Sequence, residues 1–239
     1  MNVVYQHTQA VHSLRGAVAG FRYLSAYGPF RSLLDVGAGT GTWMAAACLA
    51  GIRDIWGIDA AEPAYRESLI QDCKFEIRDL SQPLNLNRTF DCITCLEVAE
   101  HLDESSAKTL VASLCRHGNL VFFSAAMPGQ AGQHHVNCQW PCYWQDLFNA
   151  QGFACTDDVR WSMWRDTEIE AWYRQNIFRA IHDPNLAGSE PRIASVVHPD
   201  MLNPAGTSPN IAAESESRLR SHLPRPLRAI VRKAMRHLL

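Results

Sequence analysis

The sequence predicts an α/β domain whose mostly parallel sheet is doubly wound, with helices on both faces. Short apolar runs alternate along the chain with stretches of helical periodicity, the pattern left by parallel strands and their crossover helices. Several of those runs are apolar on both faces, as expected of strands covered on each side. A cluster of glycines directly follows the first run, where a strand must turn into a helix.

Residues 1–30 are expected to form an N-terminal helical cover. Arg31–Gly37, with Leu33, Leu34 and Val36, is the first buried strand, and Gly39–Ala50 is the alanine-rich helix after it. Asp54–Asp59 is a second strand. Glu62–Gln71 follows as a helix, Pro63 being acceptable in its first turn. Cys73–Arg78 alternates like a third strand, and Phe90–Leu96 is a fourth. Asp103–Cys115 sets Ala107, Leu110, Val111 and Leu114 on one helical face. Asn119–Phe123 is a fifth strand; beyond a polar loop, Pro141–Gln151 is helical and Phe153–Val159 extended. Residues 31–182 make up the main domain. Residues 183–216 are an irregular, partly disordered connector, since five of the twelve prolines fall between Asp183 and Asn210. Residues 217–239 close the chain as a basic amphipathic helix, with Leu227, Ile230, Val231, Ala234 and Leu238 on one side.

The chain has 239 residues, 47% hydrophobic and 19% charged, enough for one self-supporting core. No run approaches the roughly 20 apolar residues that span a bilayer, and Met1–Ala10 lacks a secretion signal. A cytoplasmic protein with reduced cysteines is the expectation. Seven of the 22 basic residues lie beyond Ser217 with no acid among them, so residues 1–216 carry a net charge of −9. That balance argues against a nucleic-acid surface on the main body.

The first chemical signal is Leu33-Leu34-Asp35-Val36-Gly37-Ala38-Gly39-Thr40-Gly41. Glycines at alternate positions let a ligand approach the backbone. Thr42 stands where a dinucleotide fingerprint needs its third glycine. Asp35, two residues before the first glycine, suits a cationic ligand group better than a phosphate. Gly57-Ile58-Asp59-Ala60 then ends the second strand on an acid able to accept two hydrogen bonds from a ribose diol. An NAD enzyme would show that acid too, but is disfavoured by Asp35 and Thr42. Arg78-Asp79-Leu80 and Phe90–Leu102, the latter ending Leu96-Glu97-Val98-Ala99-Glu100-His101-Leu102, complete an ordered set of four.

On these residues the chain resembles the class I S-adenosylmethionine-dependent methyltransferases. The resemblance implies a Rossmann-like, mostly parallel seven-stranded sheet, S-adenosylmethionine as cofactor and S-adenosylhomocysteine as product. It assigns Asp35, Gly37, Ala38, Gly39, Gly41 and Trp43 to cofactor binding, the glycine loop wrapping the methionine part, and Asp59 and Ala60 to the ribose and adenine. Asp79 and Leu80 go to the adenine, and Leu96 and Glu97 lie beside the sulfonium. His101 either touches the cofactor carboxylate or caps the next helix.

Gln133-His134-His135-Val136-Asn137-Cys138-Gln139-Trp140 follows the fifth strand, at the sheet end where ligands bind in open α/β folds. The loop, with Trp172-Tyr173-Arg174-Gln175-Asn176, resembles a subset of bacterial small-molecule and sugar O-methyltransferases. Methyl transfer to a hydroxyl needs alignment and a proton acceptor, and a neutral histidine suits the second task. His135 is therefore the expected general base, His134 its alternate, Asn137 the orienting group, and Trp140 and Trp144 the acceptor pocket. A zinc site from His134, His135, Cys138 and Cys142 lacks a Cys-x-x-Cys knuckle, so no metal is expected. Cys92 and Cys95 should point to opposite faces of their strand.

The expected reaction is O-methylation of a sugar, glycan or glycosylated natural product. N- or C-methylation of another metabolite and a non-catalytic cofactor-binding regulator are the alternatives. The basic tail can lie on an anionic membrane, on the acidic body or on a partner.

Overall fold

In the computed structural model, residues 13–62 and 70–202 are described. The chain divides into two compact units, Met1–His198 and Pro199–Leu239. Of the second, the described part is the short helix Pro199–Leu202. Most of the helix expected at Glu62–Gln71 and all of the basic helix at 217–239 lie outside the described residues. Among the described residues no helix is long and apolar enough to cross a membrane.

The first unit holds seven strands: β1 (Ser32–Val36), β2 (Asp54–Asp59), β3 (Lys74–Ile77), β4 (Cys92–Leu96), β5 (Leu120–Ser124), β6 (Phe153–Thr156) and β7 (Phe178–His182). Its helices are α1 (Leu14–Leu24), α2 (Thr42–Leu49), α3 (Glu104–Arg116), α4 (Pro141–Asn149), α5 (Asp158–Met163) and α6 (Ala171–Asn176). The sheet order is β3-β2-β1-β4-β5-β7-β6. Strands β1 to β5 are parallel, and β7 runs antiparallel to both β5 and β6. The Rossmann-like, mostly parallel seven-stranded sheet expected from the sequence is the fold observed.

Alternate strand residues feed two cores. Leu34, Val36, Ile58, Ile93, Cys95 and Phe123 pack on the α3–α4 side. Leu33, Ile55, Cys92 and Phe122 pack with α1 and α2 on the other. Cys92 and Cys95 therefore do face opposite ways. On α4, Pro141, Trp144, Gln145 and Phe148 form one buried face, and Trp144 meets Phe123 with ring centroids 5.2 Å apart. Trp144 is thus a core residue and not a wall of an acceptor pocket. The helical spacing places it under the sheet, while Trp140, before the helix, is 37% exposed.

Two expectations need correction. The extended run placed at Phe153–Val159 ends at Thr156, and Asp158 opens α5. Val159 and Met163, four apart, bury one face of that helix, while Arg179 grips the Asp158 carboxylate with Nε and Nη2. The segment after Asp183 is irregular as expected, but residues 183–198 are pinned to the sheet domain rather than loose. Glu190 there accepts from Gln145 Nε2 (2.9 Å), Asn149 Nδ2 (2.6 Å) and the Cys155 N–H (3.1 Å).

Burial opposes the Glu190 charge, but these donors outweigh it and bring the pKa down to about 2. A carboxylate held below its unfolded pKa stabilises fully above about pH 4.5 and loses that contribution as pH falls toward 2. Glu190→Gln should therefore cost about 2 kcal/mol at pH 7 and much less at pH 3, read from urea midpoints at each pH.

Candidate functional site

The winding direction reverses between β1 and β4: β2 flanks β1 on one side and β4 on the other. A crevice opens outside the carboxyl ends of strands at such a point. The segments that leave β1, β2, β3, β4 and β5 there carry most of the site residues read from the sequence.

Asp35 lies within β1, 3% exposed, and its Oδ1 accepts from Thr94 Oγ1 at 2.7 Å. Its Oδ2 is buried with no hydrogen-bond partner, and no described cation forms a salt bridge with it. Burial pushes the pKa up to about 7; the Thr94 hydroxyl pulls against this and the Asp59 charge adds to it. An unmatched carboxylate in this position lacks a cation.

Beyond it the chain turns through Gly37 (φ +78°), Gly39 (+52°) and Gly41 (+84°). A Cβ at position 37 would overlap the Val98 side chain, in a backbone region that L-residues avoid. Gly37→Ala should therefore lower stability by about 2 kcal/mol, visible as a shifted urea midpoint with an unchanged slope. The N–H groups of Gly37 and Ala38 are tied to the Ile58 carbonyl at 2.7 and 3.0 Å. The Gly39 N–H donates to Asp59 Oδ2 at 2.7 Å, and Ala61 N–H to Oδ1 at 3.1 Å. Asp59 is thus held by two backbone donors, each oxygen retaining a second lone pair.

Asp79 is exposed, and its Oδ1 accepts from the Ser81 hydroxyl and N–H, which hold its carboxyl below the usual range. Leu80 is buried beside it. Together with Val36, Leu84, Leu110 and Leu114 they line a cavity of about 330 Å³. Ala60 is exposed at the end of β2. Trp43 is placed differently from its sequence-based assignment. It is 5% exposed and packs edge-on to Tyr173, ring centroids 5.2 Å apart, with its indole against Gly20 of α1.

The end of β4 is the most constrained part. Leu96 is buried, and Glu97 takes φ +56°, unusual for a residue with a Cβ. Its N–H is anchored by the Ser124 carbonyl and hydroxyl, each at 3.0 Å. Its carboxylate receives Asn176 Nδ2 on Oε1 (3.0 Å) and Gln130 Nε2 on Oε2 (2.9 Å). Asn176 Nδ2 also donates to Gln130 Oε1 at 2.9 Å, closing a three-residue ring. Burial raises the Glu97 pKa against these donors. Glu100, fully buried in the turn Ala99–His101, is raised well above the usual range by burial and by the Glu97 charge. Glu97 gathers the side-chain amide donors of the pair, and Glu100 is the member pushed further up.

His101 does not cap the following helix, whose N-cap is Asp103. Its Nδ1 lies 3.2 Å from the His134 carbonyl, and burial takes its pKa down to about 4, so it is neutral. His135 Nδ1 lies 3.2 Å from the Gln130 carbonyl, and burial lowers its pKa as well. The His101 and His135 rings meet edge-on with centroids 5.0 Å apart. His134 is exposed, with φ +55°. Asn137 is 3% exposed; its N–H donates to the Glu100 carbonyl at 3.0 Å, and its Oδ1 accepts from Gln139.

The site thus brings Glu97, His101 and His135 into one cluster and adds Glu100, Gln130 and Asn176, to which the sequence had given no role. Asn176 had a signal, since it closes the Trp172–Asn176 segment. Gln130 had none beyond its place in the loop.

The family model described as a methyltransferase domain matches residues 14–176. The chain belongs to that family. No curated protein matches it. Among solved structures, this methyltransferase is similar to magnesium protoporphyrin IX methyltransferase from Synechocystis, with bound S-adenosylhomocysteine: TM-score 0.54 and 17% identity over 76% of this chain and 90% of that one. It is also similar to an amino pentose methyltransferase from Micromonospora echinaspora, solved with bound S-adenosylmethionine (TM-score 0.56, 16% identity, 76% and 99% covered). A sugar N-methyltransferase from Streptoalloteichus gives TM-score 0.56 at 15% identity, with 77% and 97% covered.

Proposed function

We propose that this methyltransferase uses S-adenosylmethionine to methylate a hydroxyl on a sugar, glycan or glycosylated small molecule, releasing S-adenosylhomocysteine. The observation that carries the donor is Asp35, a buried carboxylate with one unmatched oxygen at the mouth of a three-glycine turn. That pairing fits a positively charged amino-acid nucleoside and not a diphosphate.

Gly37, Ala38, Gly39 and Gly41 would hold its methionine part, with His101 near the carboxylate. Asp59 and Ala60 would take the ribose and its neighbourhood, and Asp79 and Leu80 the adenine. Leu96 and Glu97 would border the reacting end. When bound, the cofactor supplies an electrophilic methyl carbon. The chain's own residues do the rest: they align the acceptor, exclude water and accept a proton.

His135 is the proton acceptor in this reading. With Nδ1–H held by the Gln130 carbonyl, the neutral ring keeps its lone pair on Nε2. His134 is the alternate base, and Asn137 orients the loop against Glu100. A second reading, transfer to the amine of an amino sugar, is favoured by the amino pentose and sugar N-methyltransferases among the solved neighbours.

Incubating the protein with methyl-labelled cofactor and matched hydroxy- and amino-sugar acceptors separates the two by mass spectrometry. Label on the hydroxy-sugars supports the first reading, and label confined to the amines replaces it with the second. Titration with S-adenosylhomocysteine and with NADH checks the donor: tight binding of NADH alone would overturn it.

A further inference from the structure

Gln175 has no task in the reading above, although its segment, Trp172–Asn176, stands out in the sequence. It is 1% exposed, and both ends of its carboxamide are in use. Its Oε1 accepts from the His198 main-chain N–H at 2.8 Å. Its Nε2 donates to Asn176 Oδ1 at 3.0 Å and to Gln130 Oε1 at 3.3 Å. Those two amides in turn meet the Glu97 carboxylate, through Asn176 Nδ2 and Gln130 Nε2.

The direction of this chain follows from the His198 end. A main-chain N–H can only donate, so Gln175 must turn its oxygen to His198 and its nitrogen to the other two amides. Each of these takes that nitrogen on its oxygen, which leaves its own nitrogen for a Glu97 oxygen. Reversing any one carboxamide would set two donors or two acceptors against each other in a largely buried place, which is costly.

The His198 end is itself anchored. After β7 the chain returns along the domain from the border where the His182 N–H donates to the Asn119 carbonyl to the border that carries the site. Arg160, 1% exposed, holds both partners there: Nη1 donates to the Gln175 carbonyl and Nη2 to the Ala194 carbonyl, each at 3.1 Å. Gln130 carries the arrangement one step further, since its main-chain carbonyl meets His135 Nδ1.

We propose that Gln175 is a positioning residue for methyl transfer: pinned by the His198 N–H, it fixes the direction in which Gln130 and Asn176 present their donors to Glu97. It acts through those two amides and not on the reacting atoms. Its bearing on the reaction rests on the reading that puts Glu97 at the reacting end; its hold on the two amides does not.

The test compares Gln175→Glu with Gln175→Leu in the full-length protein. The glutamate keeps the shape and still accepts from the His198 N–H, but when ionised it turns an acceptor toward Asn176 Oδ1 and Gln130 Oε1. Protonated, it becomes a donor again, which leucine can do at no pH. The ¹⁵N side-chain amide signals of Gln130 and Asn176 are read against the wild type at the same pH. They should move in both variants at about pH 8, and return at about pH 5 in Gln175→Glu alone, because burial raises the new carboxyl into that range. On a sugar that accepts labelled methyl, kcat of Gln175→Glu should fall about tenfold to a hundredfold at the higher pH, with KM little changed, and recover at the lower.

Amide signals unmoved at the higher pH, or moved equally at both, would overturn the role of Gln175. So would a kcat that follows only the urea midpoint and does not recover. Should Gln175→Glu not fold at the higher pH, Gln175→Leu decides, and unmoved amide signals there count against the proposal. Adding S-adenosylhomocysteine to the wild type should shift the same two signals. Signals that answer to the variants but not to S-adenosylhomocysteine would instead remove Glu97 from the reacting end, and with it the bearing of Gln175 on transfer.

Discussion

If His135 is the base, as proposed, His135→Ala is expected to turn over about a hundredfold to ten-thousandfold more slowly than the wild type and to bind S-adenosylhomocysteine with unchanged affinity. The two halves of that result belong together. His135 sits on the loop after β5, and its ring hydrogen bond goes to the Gln130 carbonyl and not to the glycine turn, so the turn itself should survive its loss. In the proposed reaction its contribution would lie in the proton that the acceptor hydroxyl must shed, and this would appear in kcat. Steady-state rates beside calorimetric affinities check it. Equal turnover in the variant would remove His135 from the chemistry, and a parallel loss of cofactor affinity would recast it as a binding residue.

The second large effect concerns Asp35. With its folded pKa raised from 3.8 to about 7, the native state without cofactor binds a proton that the unfolded chain has already released. Stability therefore falls as pH rises from about 4 through 7, because the charge is admitted to a buried site that lacks a partner. Asp35→Asn retains an acceptor for the Thr94 hydroxyl and removes the charge. At pH 8 the variant should be more stable by about 2 kcal/mol or more, and at pH 4 nearly equal to the wild type. Its affinity for S-adenosylmethionine should fall by about tenfold to a hundredfold at pH 8. Thermal melts at both pH values and one binding titration check this. A variant less stable at pH 8, with cofactor affinity intact, would show that Asp35 serves the fold alone.

The parts of the molecule legible in the sequence were those encoded locally. β1, β2, β4 and β5 are mainly apolar runs and β3 alternates, and the Asp35–Gly41 turn needs its residues in one unbroken segment, so all could be read directly. β7 could not: Phe178 and Ala180 face inward but alternate with Arg179 and Ile181, a five-residue pattern too short to separate from a helix. The first two residues of α5, Asp158 and Val159, fall in the run read as extended because they adjoin β6, and the Arg179–Asp158 pair marks where the chain turns. Within the site, Glu97 and His101 were visible in the motif after β4. Their partners were not, because Gln130 and Asn176 reach Glu97 from 33 and 79 residues away. The burial of Glu100 beside Glu97 has no sequence signature.

That long reach has a consequence for how the protein is made. Asn176 lies in α6, immediately ahead of the strand that wedges between β5 and β6, so the Glu97 ring closes only once nearly three quarters of the chain has been synthesised. A nascent polypeptide still lacking that strand has β5 as an open border and Glu97 short of one donor. A shortened chain ending before Asn176 would retain the glycine turn yet lack the donor that completes the Glu97 ring.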